Sequence, residues 1–378
     1  MRRSIRLSIG AGVLLGLSTL LTPLAAGAEG LGISDVHAVF VQTNDTAGNQ
    51  VVVYRRGAHG GLSFAARYNT GGLGVALTGA VVDKLASQGS LAFDAAAQAL
   101  VAVNGGSKSI TEFHVDGARL SGRRSVASGG SIPVSVAVSG NRLYVLNAGG
   151  TGSVQGFYVN SLHTIAGSHR NLNLTPGVAP QYLNTPGQIG LTPDGRQLII
   201  TTKANGSDID VFGVSPNGAL SATPTVNPSA TPVPFGFTFN PAGDLVVTEA
   251  GTSALTTYAV HGDGTLTELH SVTDGLAALC WVTKAGNHYF GANAGSATIT
   301  GYRIGPGGLP TIIGETAADA GSIDLAAAPD GTALYVETGG ADIVDAFSVH
   351  TDGSLSFTGS SVAPELPGHS GLEGIAVS

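Results

Sequence analysis

Lys203 and Glu249 form the one oppositely charged pair in an otherwise mostly neutral set of residues that recurs along the chain. A lysine can hold a substrate carboxylate or stabilise an oxyanion, and a glutamate can act as general acid or base. The full set is Asn44, Asn104, Asn147, Lys203, Glu249, Asn293 and Glu337, and each member ends a strand-like run such as Leu143-Tyr144-Val145-Leu146-Asn147 or Leu245-Val246-Val247-Thr248-Glu249. Carboxamides and carboxylates gathered in one place would supply donors and acceptors for a polar small molecule. A second reading holds for the asparagines, whose side chains can simply close a tight turn. Turn chemistry makes no such demand for Lys203 or Glu249.

The spacing of these ends shows what must position them. The intervals are 60, 43, 56, 46, 44 and 44 residues, and nine or ten residues beyond each end stands an aromatic: Tyr54, Phe113, Phe157, Phe212, Tyr258, Tyr302 and Phe347. Seven coincidences in seven units identify a repeat. In the fifth unit four strands are legible, over 235–239, 245–249, 255–260 and 266–272. Pro-Asp-Gly at 193–195 and 329–331, and Asp-Gly at 263–264 and 352–353, supply hairpin turn chemistry between such strands. A period of ~40–45 residues carrying four strands is a β-propeller blade. The expected fold is therefore all-β: seven four-stranded antiparallel blades forming one domain over 31–378.

The first unit lacks an innermost strand, and Gly371-Leu372-Glu373-Gly374-Ile375-Ala376-Val377 is an innermost strand without a blade behind it. The C-terminal strand should complete blade 1 and close the ring. Aligned inner strands give a column of Ile375, Leu91, Val136, Ile189, Phe237, Val282 and Leu325 that should pack between blades. The residue before each (Gly374, Ser90, Ser135, Gln188, Gly236, Trp281, Asp324) should face the central channel. Residues 69–90 and 167–186 are the longest connections and fall on the face where the polar ends emerge, so that face is the expected site.

Composition agrees. Glycine accounts for 57 of 378 residues, 43% of the chain is hydrophobic and only 11% is charged. That balance excludes disorder and disfavours a helical bundle. Arg2, Arg3 and Arg6, the apolar stretch 7–24 and Ala26-Gly27-Ala28 read as a signal peptide over 1–28, so the product is expected to be exported, with no membrane span after its removal. The remainder carries 14 basic against 25 acidic residues, a balance of −11 that makes nucleic acid an unsuitable partner. Cys280 is the single cysteine, so no intrachain disulfide forms; it reads as a buried thiol or, less commonly, a nucleophile. No nucleophile elbow, His-Glu-x-x-His or paired-cysteine spacing occurs. A calcium site among Glu249, Glu337 and asparagine carbonyls would be thinly supplied with acids. His261 and His350 share a c–d turn position and read as solvated.

Tyr-Val-Leu-Asn at 144–147, the Pro-Asp-Gly turns, Pro-Phe-Gly-Phe at 234–237 and Thr-Glu-Ala at 248–250 resemble the lactonase-type seven-bladed propellers. That group includes 6-phosphogluconolactonase-like, carboxymuconate-lactonizing-enzyme-like and secreted Tyr-Val-Thr-Asn-repeat proteins. The resemblance implies opening or closing of a lactone ring at the channel mouth, with no metal or other cofactor, by His, Arg and Glu side chains. Glu249 would fill the acidic role and Lys203 that of a cation; no Arg or His stands at the strand ends or in the channel column. On this reading Lys203 and Glu249 are catalytic. Asn44, Asn104, Asn147, Gln188, Trp281, Asn293, Asp324 and Glu337 would bind a small carboxylated or sugar-derived substrate, the protein acting as a monomer. The alternative is a non-catalytic exported propeller that binds a glycan, peptide or surface partner through the same face.

Overall fold

The computed structural model describes residues 37–362 and 372–378, and the expected signal peptide lies outside them. Within them the chain forms seven four-stranded antiparallel sheets. Two single turns of 3-10 helix, Gln181–Leu183 and Pro306–Gly308, are the helical elements among the described residues. Runs rich in Val, Ile and Leu make the second strand of each blade, such as Ala99–Asn104, Gln197–Thr201 and Leu245–Glu249, buried on both faces because neighbouring blades cover them.

The turns form as their residues dictate. Gly264 and Gly353 take φ of 88° and 89°, the left-handed region in which glycine carries no Cβ penalty. Beside them Asp263 accepts from Thr265 N and Oγ1 at 3.0 and 2.7 Å, and Asp352 from Ser354 N and Oγ at 2.9 and 2.7 Å. His261 and His350 are exposed at the matching position of both turns, as expected.

The repeated aromatics hold the layers in register. Phe113, Phe212, Tyr258 and Phe347 pair with Leu100, Leu198, Leu245 and Leu334, and all seven aromatics are buried. The inner column from Ile375 to Leu325 is likewise buried between blades. Blade 3 departs from the expectation. Its outer strand is only Arg170–Asn171, so a strand begins inside the segment read as a loop over 167–186.

Ring closure is as the sequence implies. Val39, Phe40 and Val41 pair with Val377, Ala376 and Ile375. The ladder continues through Gln42 N to Gly374 O and Glu373 N to Gln42 O, both 2.9 Å. Phe40 is buried in the seam against Phe93, ring centroids 5.9 Å apart. Phe40→Ala should lower stability by about 3–5 kcal/mol, read from urea unfolding. Removal of residues 372–378 should abolish cooperative unfolding, because it re-exposes Ala38–Gln42 as an edge.

Candidate functional site

Small and polar residues on the inner strands leave room along the axis, and the connection before blade 2 fills it. Ser87 Oγ donates to Val134 O at 2.8 Å, and Trp281 Nε1 donates to Ser87 O at 3.0 Å. Gln88 reaches blade 6: its Nε2 donates to Val282 O at 2.8 Å and its Oε1 accepts from Val282 N at 3.1 Å. Ser135 Oγ donates to Gln88 O at 2.6 Å, and a Cβ on Gly236 would collide with the Gln88 amide. Gln188 copies the device between blades 4 and 5, with Nε2 to Phe237 O at 3.1 Å and Oε1 from Phe237 N at 2.6 Å. The channel column therefore faces the axis, as expected, and grips this segment.

The two long connections do meet on one face. Thr78 N donates to Gln181 Oε1 at 2.9 Å. They close the mouth expected there instead of framing it. The hollow left between them, about 480 Å³, is lined by segments such as 174–181 and carries no ionisable side chain among the described residues.

Beneath this cover lies a buried acidic chamber. Asp83 accepts from Ala86 N and Ser87 N at 2.5 and 3.0 Å, which ties its own turn, and is hydrogen-bonded to Glu373. Glu373 also accepts from Leu85 N at 3.0 Å and from Lys84 N. Burial pushes both carboxyls up, and two such groups in contact hold one proton between them. Glu337 accepts from Gly374 N at 2.7 Å while its Oε1 has no partner. Burial first, and then the neighbouring Asp324 and Asp83, keep it protonated well above the usual range. Lys203 Nζ donates to Ala86 O, Tyr182 O and Thr185 Oγ1 at 2.5, 2.5 and 3.2 Å and lies 5.2 Å from the Phe235 ring centre. Burial lowers its pKa to about 7 despite the nearby Asp83.

Several sequence expectations change here. Lys203 and Glu249 do not pair. Glu249 is occupied by four hydroxyls, Ser229 and Tyr258 at 2.5 Å, Thr256 at 2.6 Å and Thr231 at 2.8 Å. Both side chains are buried and satisfied, Glu249 within blade 5 and the loop before it, Lys203 by the connections before blades 2 and 4. The asparagines are buried and tied down too, although Oδ1 of Asn147 and of Asn293 has no partner among the described residues. Asn44 exchanges hydrogen bonds with Val75 N and O, and Asn104 bonds Asn49, Thr70 and Thr111. Asn147 donates to Ser128 O and Asn293 to Thr300, and no open ring of strand ends forms. Trp281 packs edge-on against Phe235 at 5.1 Å, its face turned to protein. Burial pushes the Cys280 thiol up to about 12, the state of an inert buried thiol.

What remains accessible is the far end of the channel, toward the a–b turns. A cavity of about 430 Å³ opens there, with Gln88, Gly89, Gln188, Thr283 and Asp324 among its lining. Gln188 and Asp324 were sequence candidates. Gln88 and Thr283 were not, nor were Asp83 and Glu373 in the chamber above. Residues 83–88 belong to no repeat column, so alignment of blades could not find them, but Glu373 is flagged by its place directly before the channel glycine Gly374. Asp324 accepts from Gly89 N at 3.1 Å and Leu325 N at 2.9 Å, and burial outweighs these bonds to raise its pKa to about 7. It is the ionisable side chain of this cavity among the described residues. A carboxyl poised near neutrality at the floor of a cavity can move a proton in either direction.

Comparison with known proteins places this architecture. Residues 51–367 match the family model described as "Lactonase, 7-bladed beta-propeller". A putative 6-phosphogluconolactonase of Bacteroides fragilis shares 17% identity at a TM-score of 0.71, covering 92% of this chain and 99% of that one. The periplasmic gluconolactonase of Pseudomonas aeruginosa shares 18% at 0.69, covering 90% and 99%. A putative 6-phosphogluconolactonase of Bacteroides uniformis shares 16% at 0.70, covering 91% and 100%. No curated protein sequence matches. At these identities the likeness is one of fold.

The chamber should make stability depend on pH. Asp324, Glu337 and Glu373 hold protons more tightly folded than unfolded, so their contribution is full below about pH 4 and fades as pH rises, for Asp324 through about 7. Lys203 has the opposite sign: its contribution is lost as pH falls toward about 7, so it acts above the range of Asp324. The urea midpoint should therefore fall from pH 5 to pH 7. In Asp324→Asn the fall should be shallower, on a baseline about 1 kcal/mol lower for the lost acceptor.

Proposed function

The chain belongs to the lactonase family of seven-bladed β-propellers, and from that premise we propose that it opens or closes the ring of a neutral, sugar-derived lactone in the channel cavity, with Asp324 carrying the proton. The observation that carries this reading is the placement of Asp324, a carboxyl titrating near 7 at the floor of a cavity of about 430 Å³. That volume suits a single sugar ring with water beside it.

In the opening direction the Asp324 carboxylate takes a proton from water as the water oxygen bonds to the lactone carbonyl carbon. The carbonyl oxygen becomes an oxyanion. The carboxamides of Gln88 and Gln188 each spend one N–H on a neighbouring backbone carbonyl and keep a second for it, and the Thr283 hydroxyl adds a third donor. The ring C–O bond then breaks, and the ring oxygen takes the proton from Asp324 to give the hydroxy acid. Closing runs the same steps backward. Because Gln88 and Gln188 are clamped to the inner strands of blades 6 and 5, the donors need no reorganisation.

No Lys or Arg lines the cavity among the described residues, which disfavours a phosphorylated or carboxylated substrate beside Asp324. Action outside the cytoplasm is the companion proposal, supported by the signal-like N-terminus and by the periplasmic neighbour from Pseudomonas aeruginosa. Gluconolactone hydrolysis followed by pH-stat, with the spontaneous rate subtracted, tests the reading. Asp324→Asn should lower kcat by about 10²–10⁴-fold. Gluconolactone should exceed its 6-phosphate in kcat/KM by roughly tenfold or more, since an uncompensated phosphate charge costs at least that much. Turnover unchanged by Asp324→Asn would move the chemistry elsewhere, and absence of lactone turnover by the wild type would leave the reading of a non-catalytic propeller that binds a glycan, peptide or surface partner.

A further inference from the structure

On the outer flank of the ring, between blades 3 and 4, a groove of about 460 Å³ receives two carboxyls from one strand, Asp208 and Asp210. They stand two apart on Asp208–Gly213 and so share one face of it. Three other blades show a polar partner that this position can take. In blade 2 the equivalent residue is Thr111, paired across the sheet with Ser125, hydroxyls 2.8 Å apart. In blade 5 it is Thr256 with Ser271 at 2.9 Å, and in blade 7 Asp345 accepts from Ser360 Oγ at 2.7 Å. Opposite Asp210 stands Val226, which has no hydroxyl to offer. Asp210 is 4% exposed, lines the groove and has no side-chain hydrogen-bond partner among the described residues.

The surroundings decide what such a carboxyl could hold. No Lys, Arg or His lines the groove among the described residues, so the two acids are uncompensated. Two of the polar neighbours are already spent. Thr202 Oγ1 donates to Asp208 O at 3.0 Å and accepts from Asp208 N at 2.8 Å. Asn205 Oδ1 accepts from Thr175 N at 3.1 Å, and its Nδ2 donates to Thr175 O and Asn184 O, both at 2.9 Å. Among the described residues no group of three or more His, Cys, Asp or Glu side chains gathers here as a metal site. The groove is also far larger than an ion, and Leu172, Leu174, Pro224 and Val226 give it apolar walls. Val226 is 55% exposed, so the groove is open from outside.

We propose that this groove is a second binding site, for an organic cation: an ammonium or guanidinium group on a short apolar stem, its N–H donors on Asp210 and Asp208 and its stem along the leucine and proline walls. The charge completes the two acids, and the stem covers Val226, which is otherwise exposed. The site is separate from the channel cavity and stands whether or not a lactone is the substrate.

Titration of n-butylammonium into the whole protein, followed by NMR shifts of residues 202–210, tests this, with n-butanol and calcium chloride as comparison probes. The wild type should show saturable butylammonium binding and no response to butanol. Asp210→Asn should weaken binding at least tenfold. Val226→Ser, which restores the hydroxyl that blades 2, 5 and 7 carry, should weaken it several-fold while the unfolding midpoint is kept; this variant decides the matter if Asp210→Asn does not fold. Unchanged binding in the variants, no saturable binding to the wild type, or calcium binding in place of the amine would each overturn the assignment.

Discussion

The pairing of Ile375–Val377 with Val39–Val41 is the interaction on which the rest depends. A propeller whose last blade is left unfinished has an open strand edge and no fixed spacing between its first and last sheets. Three residue pairs remove both problems, and they join positions more than 330 apart in the chain. The two residues before the closing strand then become part of the centre. Glu373 bonds the turn at 84–85, and Gly374 donates to Glu337. Closing the circle and assembling the acidic chamber are thus one event.

The chamber is costly to the fold. Asp83, Asp324, Glu337 and Glu373 are all buried near the axis, with Lys203 as the cation beside them. Desolvation opposes the charged form of each, so the acids retain protons and the lysine sheds its own readily. Backbone N–H groups of the 84–89 segment offset part of the cost by donating to three of the carboxyls. The long connection before blade 2 is therefore an internal support, with its ordered end threaded into the axis. It seals the insertion face, and the accessible cavity lies at the opposite end of the same channel.

The blades also show how one repeated position takes on different duties. The strand-end carboxamides of blades 1 and 2 tie down the connection between those blades, and Glu249 gathers four hydroxyls in blade 5. Lys203 reaches inward to the plug in blade 4. Two positions along on the neighbouring strand, hydroxyl meets hydroxyl or carboxyl in blades 2, 5 and 7, whereas Asp210 stands opposite Val226. A repeat makes such departures visible, because the other blades state what packing alone requires.

The amino-acid sequence by itself determined the number of blades, their strands, the closing of the ring and which inner-strand residues face the axis. These follow from periodicity: strand alternation, turn chemistry and regularly spaced aromatics are local signals that repeat seven times. It also put Gln188 and Asp324 on the channel wall, where the structure has them. What only tertiary structure decided is which polar groups stay free. Lys203 and Glu249 looked available because partners of theirs, Ala86, Tyr182 and Thr185 in one case and Ser229 and Thr231 in the other, lie in connections whose path no repeat encodes. A long connection can cover a channel mouth or plug it with equal ease as far as composition is concerned. The choice came from whether Gln88 could find Val282 across the axis, a contact between residues 194 apart that exists only once the circle is closed.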